Sequence, residues 1–242
     1  MSFNNKTKDD IIKELNNCKP EKWYDLDCIK NSHKNDLYFN VVLEYLSNVN
    51  IIELFENIIP ISRHDYNKKY FVESHKPLTS DEKEIISEKR RYEEWFARYL
   101  MNGKHYDYFG EIIDYQTPIK GKRTHDAGKV DMLAYNKKGF ITLIELKRED
   151  NSEAILRTIL EIFSYYYMID KKQLEKELQE NPKYKISKNC QKGILIFENS
   201  QLHTQYNNSI LIQKLSNNLE VKIYTIKKNG EDFNIFDNTI VL

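Results

Sequence analysis

The stretch Gly128–Asp150, GKVDMLAYNKKGFITLIELKRED, decides how the rest of this chain is read. It is two apolar strand-like runs joined by a short turn, and Asp131, Glu145 and Lys147 are set into those runs. An acid inside an apolar strand is costly unless something pairs it. Side chains alternate along a strand, so Ile141, Leu143, Glu145 and Lys147 share one face. Lys137, Lys138 and Gly139 read as a three-residue hairpin loop, with Gly139 in the left-handed position that closes it. That register pairs Asn136 with Phe140 and, counted back, Asp131 with Glu145. Directly opposed residues have Cβ atoms about 4.5–5.5 Å apart. Two carboxylates at that separation repel, and a divalent cation between them removes the conflict. A loop one residue longer or shorter would shift the pairing and separate them.

The chain has 242 residues, 40% apolar and 31% charged, a globular composition with ample material for a core. Its formal net charge is zero, so no global field advertises a nucleic-acid partner. Charge is uneven locally. Pro118–Asp150 carries eight Lys/Arg against five Asp/Glu, and Lys171–Lys192 carries seven lysines against three glutamates. Such runs are usually solvated faces. Cys18, Cys28 and Cys190 have no regular spacing, which implies reduced thiols and a cytoplasmic protein. No apolar run reaches membrane-span length, and the first ten residues lack a signal-peptide core.

Outward from the hairpin the pattern is regular. Residues 1–78 read as a helical extension: a polar helix over Asp9–Cys18, then two helices over Asp36–Ile59 with a break near Asn48–Asn50. Thr79–Met101 reads as a helix capped by Ser80, with Glu84 suited to its start. Ile85, Tyr92, Phe96, Tyr99 and Leu100 form its apolar face. Glu93 borders that face and Glu94 points away. Phe109–Lys120 reads as a strand. After the hairpin, Ser152 is expected to cap a helix running to about Asp170. Leu156, Leu160, Phe163 and Tyr167 make its core face, flanked by Arg157, Glu161 and Ser164. Arg157 and Glu161 are also an ordinary i,i+4 ion pair. Leu174–Leu178 continues as a polar helix, and Lys192–Glu198 is an apolar strand of the buried kind. Ser209–Leu219 is helical, and Glu220–Lys228 with Asp232–Phe236 reads as a terminal pair of strands.

The order from Ser80 onward, with an acid at Asp131 and Glu-Leu-Lys at Glu145–Lys147 leaving a strand, resembles the PD-(D/E)XK nuclease superfamily. The resemblance covers roughly the C-terminal two-thirds of the chain, residues 79–242. It is closest to restriction-endonuclease-like and exonuclease-type branches, whose Gln-x-x-x-Tyr signature falls on Glu161 and Tyr165. Tyr165 matches; Glu161 stands where the family has glutamine. Val130, not proline, precedes Asp131. The resemblance implies an α/β fold: an αβββαβ restriction-endonuclease-like core, a mixed sheet flanked by helices, behind the N-terminal extension. It implies Asp131 and Glu145, with Glu93 from the first helix, as ligands of Mg²⁺ or Mn²⁺. Lys147 would act on the water and the phosphate, and Arg157 on a backbone phosphate. The implied activity is metal-dependent hydrolysis of DNA, in restriction, repair or anti-phage defence. Two rivals stand beside it. One is a module on the same fold that binds DNA or a partner without cutting. The other takes His33, His64 and Asp65 as the metal-binding residues of a helical phosphohydrolase. The extension could dimerise the chain, recognise a partner or regulate.

Overall fold

The computed structural model describes residues 6–79, 92–122, 128–187, 189–230 and 232–240. The hairpin turns as its sequence requires. Gly139 adopts φ +91°, its N–H donates to the Asn136 carbonyl at 2.8 Å, and Asn136 pairs with Phe140. The two strands are β3 (Lys129–Asn136) and β4 (Phe140–Leu146), and their pairing runs back to Met132 opposite Ile144.

These strands sit inside a larger sheet. It also contains β1 (His105–Tyr106), β2 (Gly110–Pro118), β5 (Gln191–Phe197), β6 (Val221–Asn229) and β7 (Asp232–Asp237). The seven strands lie side by side in chain order. From β1 to β4 neighbours are antiparallel, β4–β5 and β5–β6 are parallel, and β6–β7 is antiparallel. This corrects the expected small αβββαβ restriction-endonuclease-like core: one seven-stranded mixed sheet stands in its place. The reason is non-local. Each strand's alternation shows that it will pair, but not with which strand, and β1 is too short to carry a pattern at all.

Among the described residues the helices are α1 (Lys8–Asn17), α2 (Asp27–Lys30), α3 (Asp36–Asn48), α4 (Ile51–Glu56), α5 (Tyr92–Leu100), α6 (Ile155–Met168), α7 (Lys171–Gln179), α8 (Gln201–Asn207) and α9 (Ile210–Asn218). Of the helix expected over Thr79–Met101, the Ser80 cap, Glu84 and Ile85 lie outside the described residues. Thr7 caps α1 in a reciprocal box with Asp10, and Asn35 and Asn50 cap α3 and α4. Ser152 does not cap α6. The α6 cap position is Ala154, without a side-chain bond, and the Ile155 N–H donates instead to Gln205 Oε1 on α8 at 2.8 Å.

The sheet separates two apolar clusters, as its alternation dictates. Leu133, Tyr135, Ile141 and Leu143 face one, with Leu156, Leu160 and Phe163 of α6. Trp23, Val42 and Phe55 of the first 78 residues belong to that same cluster. Met132, Ala134, Ile144 and Leu146 face the other, with Phe96 and Leu100 of α5. Each such fully buried large side chain contributes roughly 1.5–3 kcal/mol. Among the described residues, no helix is long and apolar enough to cross a membrane.

Candidate functional site

Where β4 runs out toward α6, the apolar packing gives way to charge. Asp131, Glu145, Lys147 and Glu161 are all buried there. Lys147 is the hub: its Nζ lies 2.8 Å from Glu145 Oε1, 3.0 Å from Glu161 Oε2 and 3.4 Å from Glu153 Oε2. Arg157 closes the ring, with Nη1 at 2.7 Å from Glu153 and 3.0 Å from Glu161. Tyr165 donates its hydroxyl to Glu161 Oε1 at 3.1 Å. The backbone at Gly128 passes so close to that hydroxyl that any Cβ there would overlap it.

Asp131 is held from two sides. The Leu146 N–H donates to Oδ2 at 3.0 Å, and Gln116 Nε2 donates to Oδ1 at 2.7 Å. Gln116 does this from a left-handed backbone, φ +48°. Its neighbour Asp114, fully buried, accepts from the Tyr115 N–H at 2.8 Å and the Thr117 hydroxyl at 3.2 Å, and pairs with His75 Nδ1 at 2.5 Å. These bonds grip the strand on both sides of the turned residue.

The cluster is uneven in charge: Asp131, Glu145, Glu153, Glu161 and Glu93 stand against Lys147 and Arg157. Burial, countered by Lys147 and reinforced by Glu93, pushes the Asp131 carboxyl up to about 7. Burial and then Asp131 push Glu145 well above the usual carboxylate range. For Glu161 burial acts upward, but Lys147 and Arg157 overcome it and hold the carboxyl below its ordinary value. Burial acts downward on Lys147, and the surrounding acids outweigh it, so the ammonium keeps its proton. Glu93 of α5 is half-buried near the Arg148 N–H and is pushed up by its burial, with Lys147 countering.

Glu145 Oε2 is buried and, among the described residues, has no hydrogen-bond partner. A free lone pair on a buried carboxylate beside a second carboxylate suits a hard divalent cation, and Mg²⁺ is usually held by one or two carboxylates together with waters and substrate phosphate. Among the described residues no group of three or more His, Cys, Asp or Glu is arranged to hold a metal ion. The donor set therefore fits a cation that takes two protein carboxylates, not one caged by protein alone.

The structure thus brings Asp131, Glu145, Lys147, Arg157, Glu161 and Tyr165 together, with Glu93 at the margin. It does not assemble the rival histidine site. His64 and Asp65 are exposed on a short 3₁₀ turn, while His33 lines a small cavity beside Ile155 and Gln205. Sequence reading missed Glu153, Gln116 and Asp114. Glu153 lay four residues before Arg157, at ion-pair spacing, and could have been found; the other two depend on strand pairing. No family model, curated protein or solved structure matches this chain.

Proposed function

We propose that the chain hydrolyses phosphodiester bonds in DNA with the help of Mg²⁺ or Mn²⁺. The observation that carries this reading is the unpartnered, buried Glu145 Oε2 beside Asp131 and Lys147. Asp131 and Glu145 would hold the cation, with Glu93 near enough to act on it through charge. The ion would supply polarisation of the scissile phosphate and a more acidic bound water. Lys147 keeps its positive charge and can stabilise negative charge developing on phosphoryl oxygens. Glu161, Glu153 and Arg157 fix where the Lys147 ammonium sits. The reading rests on this constellation and its resemblance to PD-(D/E)XK residues, not on the fold. A cytoplasmic location, with Cys18, Cys28 and Cys190 as free thiols, belongs to the same reading. So does a homodimer built through the N-terminal helices.

One observation favours a second reading, a module that binds DNA or a partner without cutting. Lys147 is engaged by three carboxylates, and the cluster is almost closed to solvent. Linear and circular DNA incubated with Mg²⁺, Mn²⁺ or EDTA separate the two. Cleavage with either cation and none with EDTA is expected. DNA and cation that bind while every DNA stays intact would replace the hydrolase with the binding module.

A further inference from the structure

The lysine-rich run that opens with Lys171 and closes with Lys192 brings its two ends to one aromatic ring. Lys171 Nζ lies 4.1 Å from the centroid of Tyr166, and Lys192 Nζ lies 4.3 Å from the same centroid and 5.5 Å from that of Phe163. Lys171 opens α7, Lys192 sits near the start of β5, and Tyr166 is on the last turn of α6. Lys192 is 5% exposed, while Tyr166 and Lys171 are partly open to solvent. This place is distinct from the carboxylate cluster: Tyr166 follows Glu161 by five residues, about 7.5 Å further along the helix at 1.5 Å per residue.

Among the described residues, no buried counter-charge stands beside these two cations. Among the described residues the carboxylate within 4 Å of Lys192 is that of Glu220, at 3.9 Å with an 88% exposed side chain. Among the described residues no carboxylate comes within 4 Å of Lys171 Nζ, which donates to the Tyr166 carbonyl at 2.7 Å. Asp170 and Glu175 act on Lys171 only from further away, and the Asp170 carboxylate is used in accepting from the Gln173 N–H. Cys190 is buried beside both lysines, and burial pushes its thiol up to about 12, so it stays neutral at pH 7. Burial outweighs the distant acids and lowers the affinity of both lysines for protons. The Tyr166 face offsets part of this cost, about 0.5–2 kcal/mol per cation. An anion in contact with these ammonium groups would offset the rest.

We propose that Lys171 and Lys192, gathered on Tyr166, form a binding site for a phosphate group. Two ammonium groups match the charge of a phosphate monoester or inorganic phosphate, and each supplies rotatable N–H donors to its oxygens. The site stands apart from the hydrolase reading and does not depend on it. The phosphate could come from a free nucleotide or from a nucleic-acid strand, and these share the chemistry recognised here.

The test is thermal unfolding of the full chain in EDTA, in inorganic phosphate, in a deoxynucleoside monophosphate, or in a short DNA oligonucleotide. Chloride at matched ionic strength is the reference. Phosphate at about a hundred times its Kd should raise Tm by about 5 °C over chloride. Lys192→Met and Lys171→Met should each remove that increment. Lys192→Met should itself melt no lower than wild type in chloride, since it replaces an uncompensated buried charge by an apolar chain of similar length. Should Lys192→Met fail to fold, Lys171→Met, at a partly exposed position, keeps the test. An increment from the nucleotide but not the oligonucleotide assigns the site to free ligands; the reverse assigns it to strands. A wild type that melts alike in phosphate and chloride overturns the proposal. So does an increment that survives in both lysine variants.

Discussion

Gln116 lies opposite Asp131 in the sheet, between the pairs Tyr115–Met132 and Thr117–Val130, and its amide donates to the Asp131 carboxylate at 2.7 Å. It does so from a backbone conformation, φ +48°, that side chains rarely adopt. Strain of this kind costs on the order of 1–3 kcal/mol and persists only where surrounding bonds enforce it. Here Asp114 supplies those bonds, to the Tyr115 N–H and the Thr117 hydroxyl.

The consequence is measurable. Gln116→Ala keeps the strained backbone and removes a donor from a buried carboxyl, so it should destabilise the fold by about 1–3 kcal/mol. Gln116→Gly loses the same donor but relieves the strain, and should recover about 1 kcal/mol of that loss. Urea unfolding of the three proteins decides it. Equal stability of the Ala and Gly variants would mean that the turned backbone costs nothing.

A second prediction concerns how α6 begins. Gln205 accepts from the Ile155 N–H at 2.8 Å and donates to the Glu153 carbonyl at 3.2 Å, so α8 fastens the first turn of α6. Gln205→Ala leaves that N–H without its acceptor and should cost about 1–2 kcal/mol, in the range of a lost helix cap. Ser152→Ala, at an exposed position, should stay within about 0.5 kcal/mol of wild type. The reverse order of the two effects in urea unfolding would restore Ser152 as the cap.

These two residues also mark what the sequence makes legible. The hairpin was readable because everything that sets it is local: alternation in two runs and a three-residue loop ending in Gly139. It therefore delivered Asp131, Glu145 and Lys147 onto one face. α6 was readable from its period, and that placed Arg157, Glu161 and Tyr165. The cap of α6 was not, since Gln205 is fifty residues away in sequence and competes with a perfectly plausible local serine. The Gln116 contact needs a positive φ that nothing in EIIDYQTP announces, because no glycine stands there. The seven-stranded order was hidden for the same reason. β6 and β7 look like any terminal pair of strands until the parallel pairing of β6 with β5 joins them to the rest.

A third prediction follows from the titration of the cluster. The Asp131 carboxyl, ordinarily near 3.8, is pushed up to about 7 in the fold, first by burial. In this window the unfolded chain has released the proton while the folded chain keeps it. Stability from this group is therefore full below about pH 4 and is lost as pH rises toward 7. Glu145 is shifted in the same direction and adds to the fall. Glu161 is shifted downward, so its contribution disappears only as pH drops below the usual carboxylate range and does not enter the interval from pH 5 to 8. Wild type should lose stability between pH 5 and 8, and Asp131→Asn should lose less, becoming the more stable of the two at pH 8. Denaturation midpoints at both pH values check this. A parallel decline in wild type and variant would show that Asp131 does not titrate there.

The fourth prediction separates holding a cation from using Lys147. The Lys147 ammonium is paired with Glu145, Glu161 and Glu153, so Lys147→Ala leaves buried carboxylates facing one another. Breaking a buried ion pair from one side costs about 3–5 kcal/mol, and the variant should melt well below wild type. A divalent cation near Glu145 and Asp131 can replace the missing charge. Mn²⁺ should therefore raise the Tm of Lys147→Ala by more than it raises that of wild type, and bind it at least as tightly by calorimetry. Asp131→Asn, which removes a ligand charge, should respond to Mn²⁺ less than wild type does. Under the hydrolase reading neither variant cleaves DNA, but for different reasons: Asp131→Asn through weakened metal binding, Lys147→Ala with metal bound and turnover lost. The two readouts are independent. Wild-type cleavage by Lys147→Ala would sink the role given to the lysine. An unchanged Mn²⁺ response in both variants would remove the cation from this cluster, whatever the DNA assay shows.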